Sequence, residues 1–220
     1  MNLFSRGASP RRSTTLVEPE RPAGPPVFPQ GGPSEPDPRM LTGNWVIDPA
    51  HSRIGFSVRH AMVTTVRGAF TDYQSRLYFD GRDPSRSGAE IVMSTASVET
   101  GVDQRDSHVA GRDFLDSATY PHMRFLSTSV QLADSDVYRM TGDLTIKNRT
   151  RSVVLELTYI GYVTDPFGYE RVGFDGTTTI NRSDWGLTYN ARLAEGGAMV
   201  SDKVRLQFDI AAIRATPPTG

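Results

Sequence analysis

The sequence predicts an all-β protein built as one antiparallel barrel of about eight strands. From Trp45 onward, apolar and polar residues alternate, which is typical of strands that bury one face. The alternation is cleanest near the C-terminus, where Val204, Leu206, Phe208 and Ile210 alternate with Lys203, Arg205, Gln207 and Asp209. Short turn-rich segments separate the alternating runs, and short connections favour a meander in which neighbouring strands pair.

The predicted strands follow one another along the chain. They fall at residues 54–58, 73–79, 91–98, 123–130, 137–146, 153–160, 172–180 and 203–210. The turns between them are rich in Asp, Asn, Gly and Pro, for example at 80–84 and 165–168. One segment differs, because residues 103–110 begin with a candidate N-cap, Asp103, and end at Gly111. We therefore predict a short helical segment near 103–116, at one mouth of the barrel.

The composition excludes several classes of function. A chain of 220 residues suits one all-β domain with a tail. Its 24 Lys and Arg residues nearly balance its 25 Asp and Glu residues, so no strong field steers it to nucleic acid. The lack of cysteine excludes disulfides, thiolate nucleophiles and cysteine-based metal sites. No stretch approaches the roughly 20 apolar residues of a membrane helix, so we expect a soluble protein.

Three regions are predicted along the chain. Residues 1–39 hold nine of the fifteen prolines and no apolar period, which predicts a disordered tail. Residues 40–213 form the predicted barrel, and residues 214–220 a flexible C-terminal tail. The first residues lack the apolar run of a secretory signal, which favours a cytoplasmic location. Met40, where the barrel region begins, stays open as an alternative start.

Several short motifs resemble those of YceI-like proteins. They lie in order at residues 48–52, 54–60, 66–70, 98–101, 105–108, 113–114, 120–121, 125–128, 142–146, 171–174 and 181–187. The resemblance covers about residues 42–212. Because many ordered motifs contribute to it, it is more specific than a single short pattern.

The resemblance implies a lipocalin-like barrel that encloses a polyisoprenoid or another long-chain, fatty amphiphile. The implied role is storage, transport or presentation of that lipid. Two features depart from the family pattern. Many members carry an export signal, which we do not find here. Where a glycine is expected after residue 146, this chain has Lys147-Asn148, and asparagine tolerates the left-handed conformation that the turn needs.

The candidate ligand contacts are side chains predicted to point into the barrel, because an eight-strand barrel has room for side chains or for one small ligand. They are Phe56, Val58, His60, Met93, His108, Phe114, Phe125, Leu144, Trp185, Leu206 and Phe208. For the apolar members, simple core packing remains the alternative. Trp185 could instead close one end of the barrel.

No catalytic residue is predicted, since the chain has neither a nucleophile elbow nor a phosphate-binding glycine loop. The histidines fit no compact metal-binding motif, so neither a metal nor another cofactor is expected to be required. They are His51, His60, His108 and His122.

Other interpretations stay open. The charged residues Arg59, Arg67, Arg105 and Asp106 could form ion pairs at the mouth or bind a polar head group. An enzyme that uses His60 or His108 on an apolar substrate is one rival class. A stress-related protein that acts through its surface, alone or as a homodimer, is the other.

Overall fold

The computed structural model describes residues 38–191 and 198–215 and is all-β, as predicted. Its strands are β1 (Gly43–Ile47), β2 (Arg53–His60), β3 (Thr64–Phe70), β4 (Tyr73–Phe79), β5 (Gly88–Ser94), β6 (Val98–Glu99), β7 (His122–Leu132), β8 (Val137–Ile146), β9 (Arg149–Thr164), β10 (Glu170–Asn181) and β11 (Val200–Arg214). Two α-helices accompany them, α1 (Pro38–Leu41) and α2 (Asp103–Ala110).

The predicted tails lie almost entirely outside the described residues. The exceptions are at their inner boundaries. Pro38 and Arg39, assigned to the N-terminal tail, begin α1. Arg214, assigned to the C-terminal tail, is the last residue of β11.

Eight of the strands form a closed antiparallel ring, which confirms the predicted barrel. The order is β1-β4-β5-β7-β8-β9-β10-β11, and pairing of β1 with β11 closes it. The remaining three described strands, β2, β3 and β6, continue the sheet from β11. The first part of β11 therefore pairs with β2, and its last three residues pair with β1. Closure leaves no free edge along the ring.

β1, β3 and β6 were not predicted as separate strands, and local features of the chain bear on the first two. β1 and β2 are separated by one turn of 3-10 helix at Pro49–His51, which the Asp48 carboxylate caps by accepting from Ala50 N at 3.0 Å. β2 and β3 are joined by Ala61, Met62 and Val63, which are not typical turn residues. The β2–β3 connection therefore lacks a strong sequence signal, whereas Asp48-Pro49 does mark the break between β1 and β2.

The predicted helical segment is confirmed as α2, with two corrections. Its N-cap is Val102, which makes no side-chain cap, and Asp103 lies in the first turn instead. Residues 113–116 form hydrogen-bonded turns and not helix, for example Leu115 N to Val109 O at 3.0 Å. These turns bury Leu115 at this end of the barrel.

The β8–β9 turn is retained with Lys147-Asn148, but its left-handed residue is not the expected one. Lys147 has a φ of 54°, whereas Asn148 does not have a positive φ. The lysine therefore takes the conformation that glycine favours.

Trp45 closes the core at the end of the barrel opposite α2. Its indole is buried, and Nε1 donates to Leu41 O at 2.9 Å, so α1 is held against the barrel. The Arg214 guanidinium lies 4.4 Å from the indole ring centre. This cation–π contact joins the end of β11 to β1.

Candidate ligand-binding cavity

The barrel encloses a cavity of about 410 Å³. This volume lies within the range of roughly 300–1,000 Å³ that small-molecule sites occupy. Side chains from almost every strand line it, and most are aliphatic or aromatic. The alternation of the sequence is the reason, since every second residue of a barrel strand points inward.

The residues that line the cavity differ in how deeply they are buried. Met93 and Phe125 are buried, whereas Phe56, Phe208 and Ile91 are only half-buried although they also line the cavity. These three lie on β2, β11 and β5. Half-buried lining side chains keep apolar surface on which a ligand can pack.

Two strand glycines make room for inward aromatic rings. A Cβ on Gly68 would overlap the Phe56 ring, and a Cβ on Gly142 would overlap the Phe125 ring. Each glycine lies across the strands from the ring that it accommodates, so that the ring lies against bare backbone. Sequence reasoning did not identify these glycines, although an isolated glycine within a strand pattern is a signal of close approach.

Ten of the eleven predicted contacts line the cavity: Phe56, Val58, His60, Met93, His108, Phe114, Phe125, Leu144, Leu206 and Phe208. Whether they touch a ligand stays a prediction. Trp185 is not among the described lining residues, which corrects its predicted place. It is 2% exposed and its Nε1 donates to Leu144 O at 3.0 Å. The 3-10 helix Arg182–Trp185 turns the indole under the end of β8, so it packs behind the cavity wall.

Polar side chains gather where the cavity reaches solvent. His108 and Tyr189 both line the cavity, and they are 47% and 41% exposed. Their rings lie 5.3 Å apart, and each is within 5.4 Å of the Phe114 ring. His108 Nε2 lies 2.8 Å from the Asp113 carboxylate. This end, between α2 and the tip of β2, is the mouth of the cavity.

Arg105 also lines the mouth, but it does not pair with Asp106. Its Nε and Nη2 donate to the hydroxyl and the carbonyl of Thr100 at 2.7 and 2.9 Å. Asp106 accepts from the backbone N of the same Thr100 at 2.8 Å. The threonine thus separates the two charges. Arg59 and Arg67 lie outside, on the exposed face of β2 and β3.

Arg182 is a lining residue that sequence reasoning missed. It is 6% exposed, and its guanidinium donates to the carbonyls of Tyr189, Ser201 and Val200 at 3.0, 3.0 and 3.3 Å, and to that of Leu187. Burial lowers its pKa, and the charge of Asp202 opposes this effect. The parity of β10 could have found it, since Arg182 continues the inward series of Phe174 and Ile180. It fixes the backbone that frames the mouth.

The histidines do not converge. His51 lies 2.8 Å from Asp48 at the opposite end of the barrel, and His122 is exposed. Within residues 38–191 and 198–215, no group of three or more His, Cys, Asp or Glu side chains is arranged to hold a metal ion. In the same ranges, no helix is long and apolar enough to cross a membrane.

An ion-pair network joins the strands at the end opposite the mouth. Arg171 lies 2.5 Å from the Asp48 carboxylate and 2.8 Å from that of Asp165. Hydrogen bonds from Arg171 hold the pKa of both aspartates below its ordinary value. Glu170 accepts from Tyr162 and Arg214, which lower its pKa in the same way. Deeper in the cavity, burial raises the pKa of Tyr138.

Fold and site together define a hollow antiparallel β-barrel, apolar inside and polar at one mouth. The chain belongs to the YceI-like family, because the model of the YceI-like domain matches residues 45–212. Among curated proteins, it is similar to a UPF0312 protein of Pseudomonas savastanoi, at 35% identity over 68% of this chain and 79% of that protein. A UPF0312 protein of Ectopseudomonas mendocina is 34% identical over 80% of this chain and 90% of its own length.

Solved structures have the same fold. BcnA of Burkholderia cenocepacia superposes with a TM-score of 0.66 at 26% identity, covering 77% of this chain and 99% of BcnA. The YCEI protein of Campylobacter jejuni gives 0.62 at 28% identity, covering 72% of this chain and 90% of its own. A polyisoprenoid binding domain from Saccharophagus degradans gives 0.59 over 78% of this chain and 98% of the domain. At 15% identity, this last likeness extends to the fold alone.

Proposed function

We propose that this barrel binds a polyisoprenoid or another long-chain amphiphile, and that it stores, transports or presents that lipid. The observation that carries the proposal is the apolar cavity, which reaches solvent at the polar mouth beside His108 and Tyr189. The ligand class matches the name of the Saccharophagus domain, but the argument for this chain rests on its own cavity.

The shape of the cavity suits a chain-like molecule. The inward series on β11 runs from Val204 to Ile210, six residue steps, which at about 3.4 Å each make a row about 20 Å long. The inward series on β2, from Ile54 to His60, runs beside it with the same number of steps. Each methylene that leaves water for this surface contributes about 0.8 kcal/mol, so a modest hydrocarbon chain is held without any covalent bond.

The mouth provides for a polar end group. Burying a polar group without hydrogen bonds is costly, so the head of an amphiphile is expected where donors and water are available. His60, His108 and Arg105 meet these conditions, whereas the wall between Phe56 and Phe208 offers no side-chain donor. The lipid is therefore expected to enter tail first.

We infer that binding needs no cofactor and does not change the ligand chemically. The observation that favours the rival, an enzyme, is the contact between His108 and Asp113 at 2.8 Å beside the mouth. A binding site should return its ligand with unchanged mass after long incubation. A His108→Ala variant that left binding intact but stopped formation of a new product would favour the enzyme instead.

Native mass spectrometry of freshly purified protein, followed by organic extraction, tests the proposed function. We expect a stoichiometric mass adduct and a long-chain lipid in the extract. Delipidated protein should then take up an added isoprenoid alcohol. If no lipid co-purifies and none binds, the barrel is a packed scaffold that acts through its surface.

A further inference from the structure

The hairpin between β2 and β3 exposes apolar side chains beside the mouth. Met62 and Val63, at its tip, are 66% and 77% exposed. The tip adjoins the cavity, because His60 precedes it and lines the mouth, and because Ala61 N donates at 2.7 Å to the carbonyl of Met199, another lining residue. Two large apolar side chains therefore stand in solvent where a ligand enters or leaves.

The backbone of this tip is unfavourable for its residues. Ala61 and Met62 have φ values of 49° and 59°, and neither is a glycine or an asparagine. A β-turn whose two central residues both have positive φ usually carries Asn-Gly, which adopts these angles at low cost. The stability of the hairpin therefore does not explain why Ala61 and Met62 occupy this turn. Their presence indicates that the tip contacts another molecule.

A basic face lies directly below the tip, on the outer side of β2, β3 and β11. It consists of the exposed residues Arg59, Arg67, Lys203 and Arg205. The cross-strand partners of these four residues are neutral: Ser57 pairs with both Arg67 and Arg205, Thr65 with Arg59, and Asn181 with Lys203. Asp202 is the nearest acid along β11, and it accepts from Ser183.

Some outward arginines elsewhere on the barrel have acidic partners on the neighbouring strand. Arg124 lies 2.9 Å from Glu90 on the neighbouring strand, and Arg139 lies 3.2 Å from Glu156. On the basic face, by contrast, the four cations lie opposite neutral partners on the adjacent strands. An anionic surface would supply the counter-charge that these neighbours do not.

We propose that the chain docks on an anionic lipid bilayer through this tip and the basic face below it. Met62 and Val63 enter the interface, and the four cations meet lipid phosphates. Docking brings the mouth to the membrane that holds the lipid. The transfer of ligand rests on the proposed function, whereas docking itself does not.

The opposite end of the barrel is the competing surface. Phe167, Val163 and Tyr169 are also exposed there. The charges beside them are already paired, since Arg171 binds Asp48 and Asp165. That end can offer apolar contact but little attraction for anionic lipid, so it provides a matched control.

Flotation of the full chain with vesicles tests the docking. We expect it to float with vesicles that contain phosphatidylglycerol and to stay behind with phosphatidylcholine alone. Met62→Asp with Val63→Asp should abolish flotation, while Val163→Asp with Phe167→Asp should not. Arg67→Gln with Arg205→Gln should weaken binding roughly thirtyfold and reduce its dependence on salt.

A second variant separates docking from folding. Ala61→Asn with Met62→Gly gives the turn its preferred residues, so the melting temperature should rise while flotation falls. The proposal would be overturned if both tip variants floated as well as the parent, or if the control variant lost flotation to the same extent as the tip variants. So would equal binding to both kinds of vesicle, or to neither. Organic extraction of each variant reports separately on the cavity, so a chain that floats without lipid keeps the docking and loses the proposed function.

Discussion

At the residue scale, the cavity depends on pairs in which a glycine faces an aromatic ring. Phe56 lies against Gly68, and Phe125 lies against Gly142. Removing the ring enlarges the cavity, and adding a Cβ to the glycine drives the ring into it. The two substitutions therefore change the cavity in opposite directions.

We expect Phe56→Ala to enlarge the cavity and shift the bound-lipid profile towards bulkier chains. The loss of stability should stay below the roughly 3–5 kcal/mol of a fully buried Phe→Ala change, because this side chain is only partly buried. Gly68→Ala should cost about 1–3 kcal/mol by overpacking and shrink the cavity. Combining both should recover part of that cost, since the ring is then gone. Strict additivity in urea unfolding would contradict the contact.

Parity on β11 gives a second prediction. Phe208 lines the cavity, and its neighbour Gln207 is exposed on the outer face. Phe208→Asp puts an unpaired charge among apolar walls and should abolish lipid retention or folding, whereas Gln207→Asp meets water and should do neither. Circular dichroism and lipid extraction distinguish the outcomes. Equal behaviour of the two variants would mean that the strand faces are assigned wrongly.

At the element scale, tight turns were harder to predict than strands. The alternation of 203–210 was enough to orient β11, because the sheet repeats every two residues. Ala61 and Met62 carried no turn signal, and β3 was not predicted as a strand. Lys147 was missed as the left-handed residue because its neighbour Asn148 was the better candidate by residue type alone.

The β8–β9 turn can be improved by one substitution. Lys147 holds a φ of 54°, which costs a side-chain-bearing residue about 1 kcal/mol or more. Lys147→Gly should remove this cost and raise the melting temperature by about 2–4 °C. Asn148→Gly is the control, since it relieves no strain and adds freedom to the unfolded chain. A lower melting temperature for Lys147→Gly than for Asn148→Gly would refute this account of the turn.

At the scale of the whole molecule, the barrel and its inward faces followed from the sequence, and the mouth followed only in part. Eight of the ten candidate contacts that line the cavity lie on strands, where parity assigns them, whereas His108 and Phe114 lie on α2 and in the turns after it. Arg182 was missed although it continues the inward alternation of β10, whereas Tyr189 joins the lining through the fold of the chain after β10. Of the two predicted places for Trp185, contact with the cavity is the one that the lining does not include. Lipid binding and a cytoplasmic location remain predictions.

Acid should lower the stability of the fold through the ion-pair network at the end of the barrel opposite the mouth. Asp48, Asp165 and Glu170 have pKa values below their ordinary 3.8, 3.8 and 4.5 in the folded chain. Carboxylates with lowered pKa stabilise the fold fully above those ordinary values, and this stabilisation is lost as pH falls through the lowered ones. We expect the melting temperature to fall steeply below about pH 4.5. Arg171→Gln should flatten that fall, while Arg76→Gln, at a highly exposed arginine, should leave it unchanged.

β11 belongs to the ring and also pairs with β2, from which the sheet continues to β3 and β6. The cavity is therefore not enclosed until β11 has paired with its neighbours. β11 closes the ring on β1 through the pairing of Trp45 with Arg214, residues from opposite ends of the barrel sequence. A ribosome delivers β11 after every other barrel strand, and contacts between such distant segments form slowly. The cavity can therefore close only after β11 has been made.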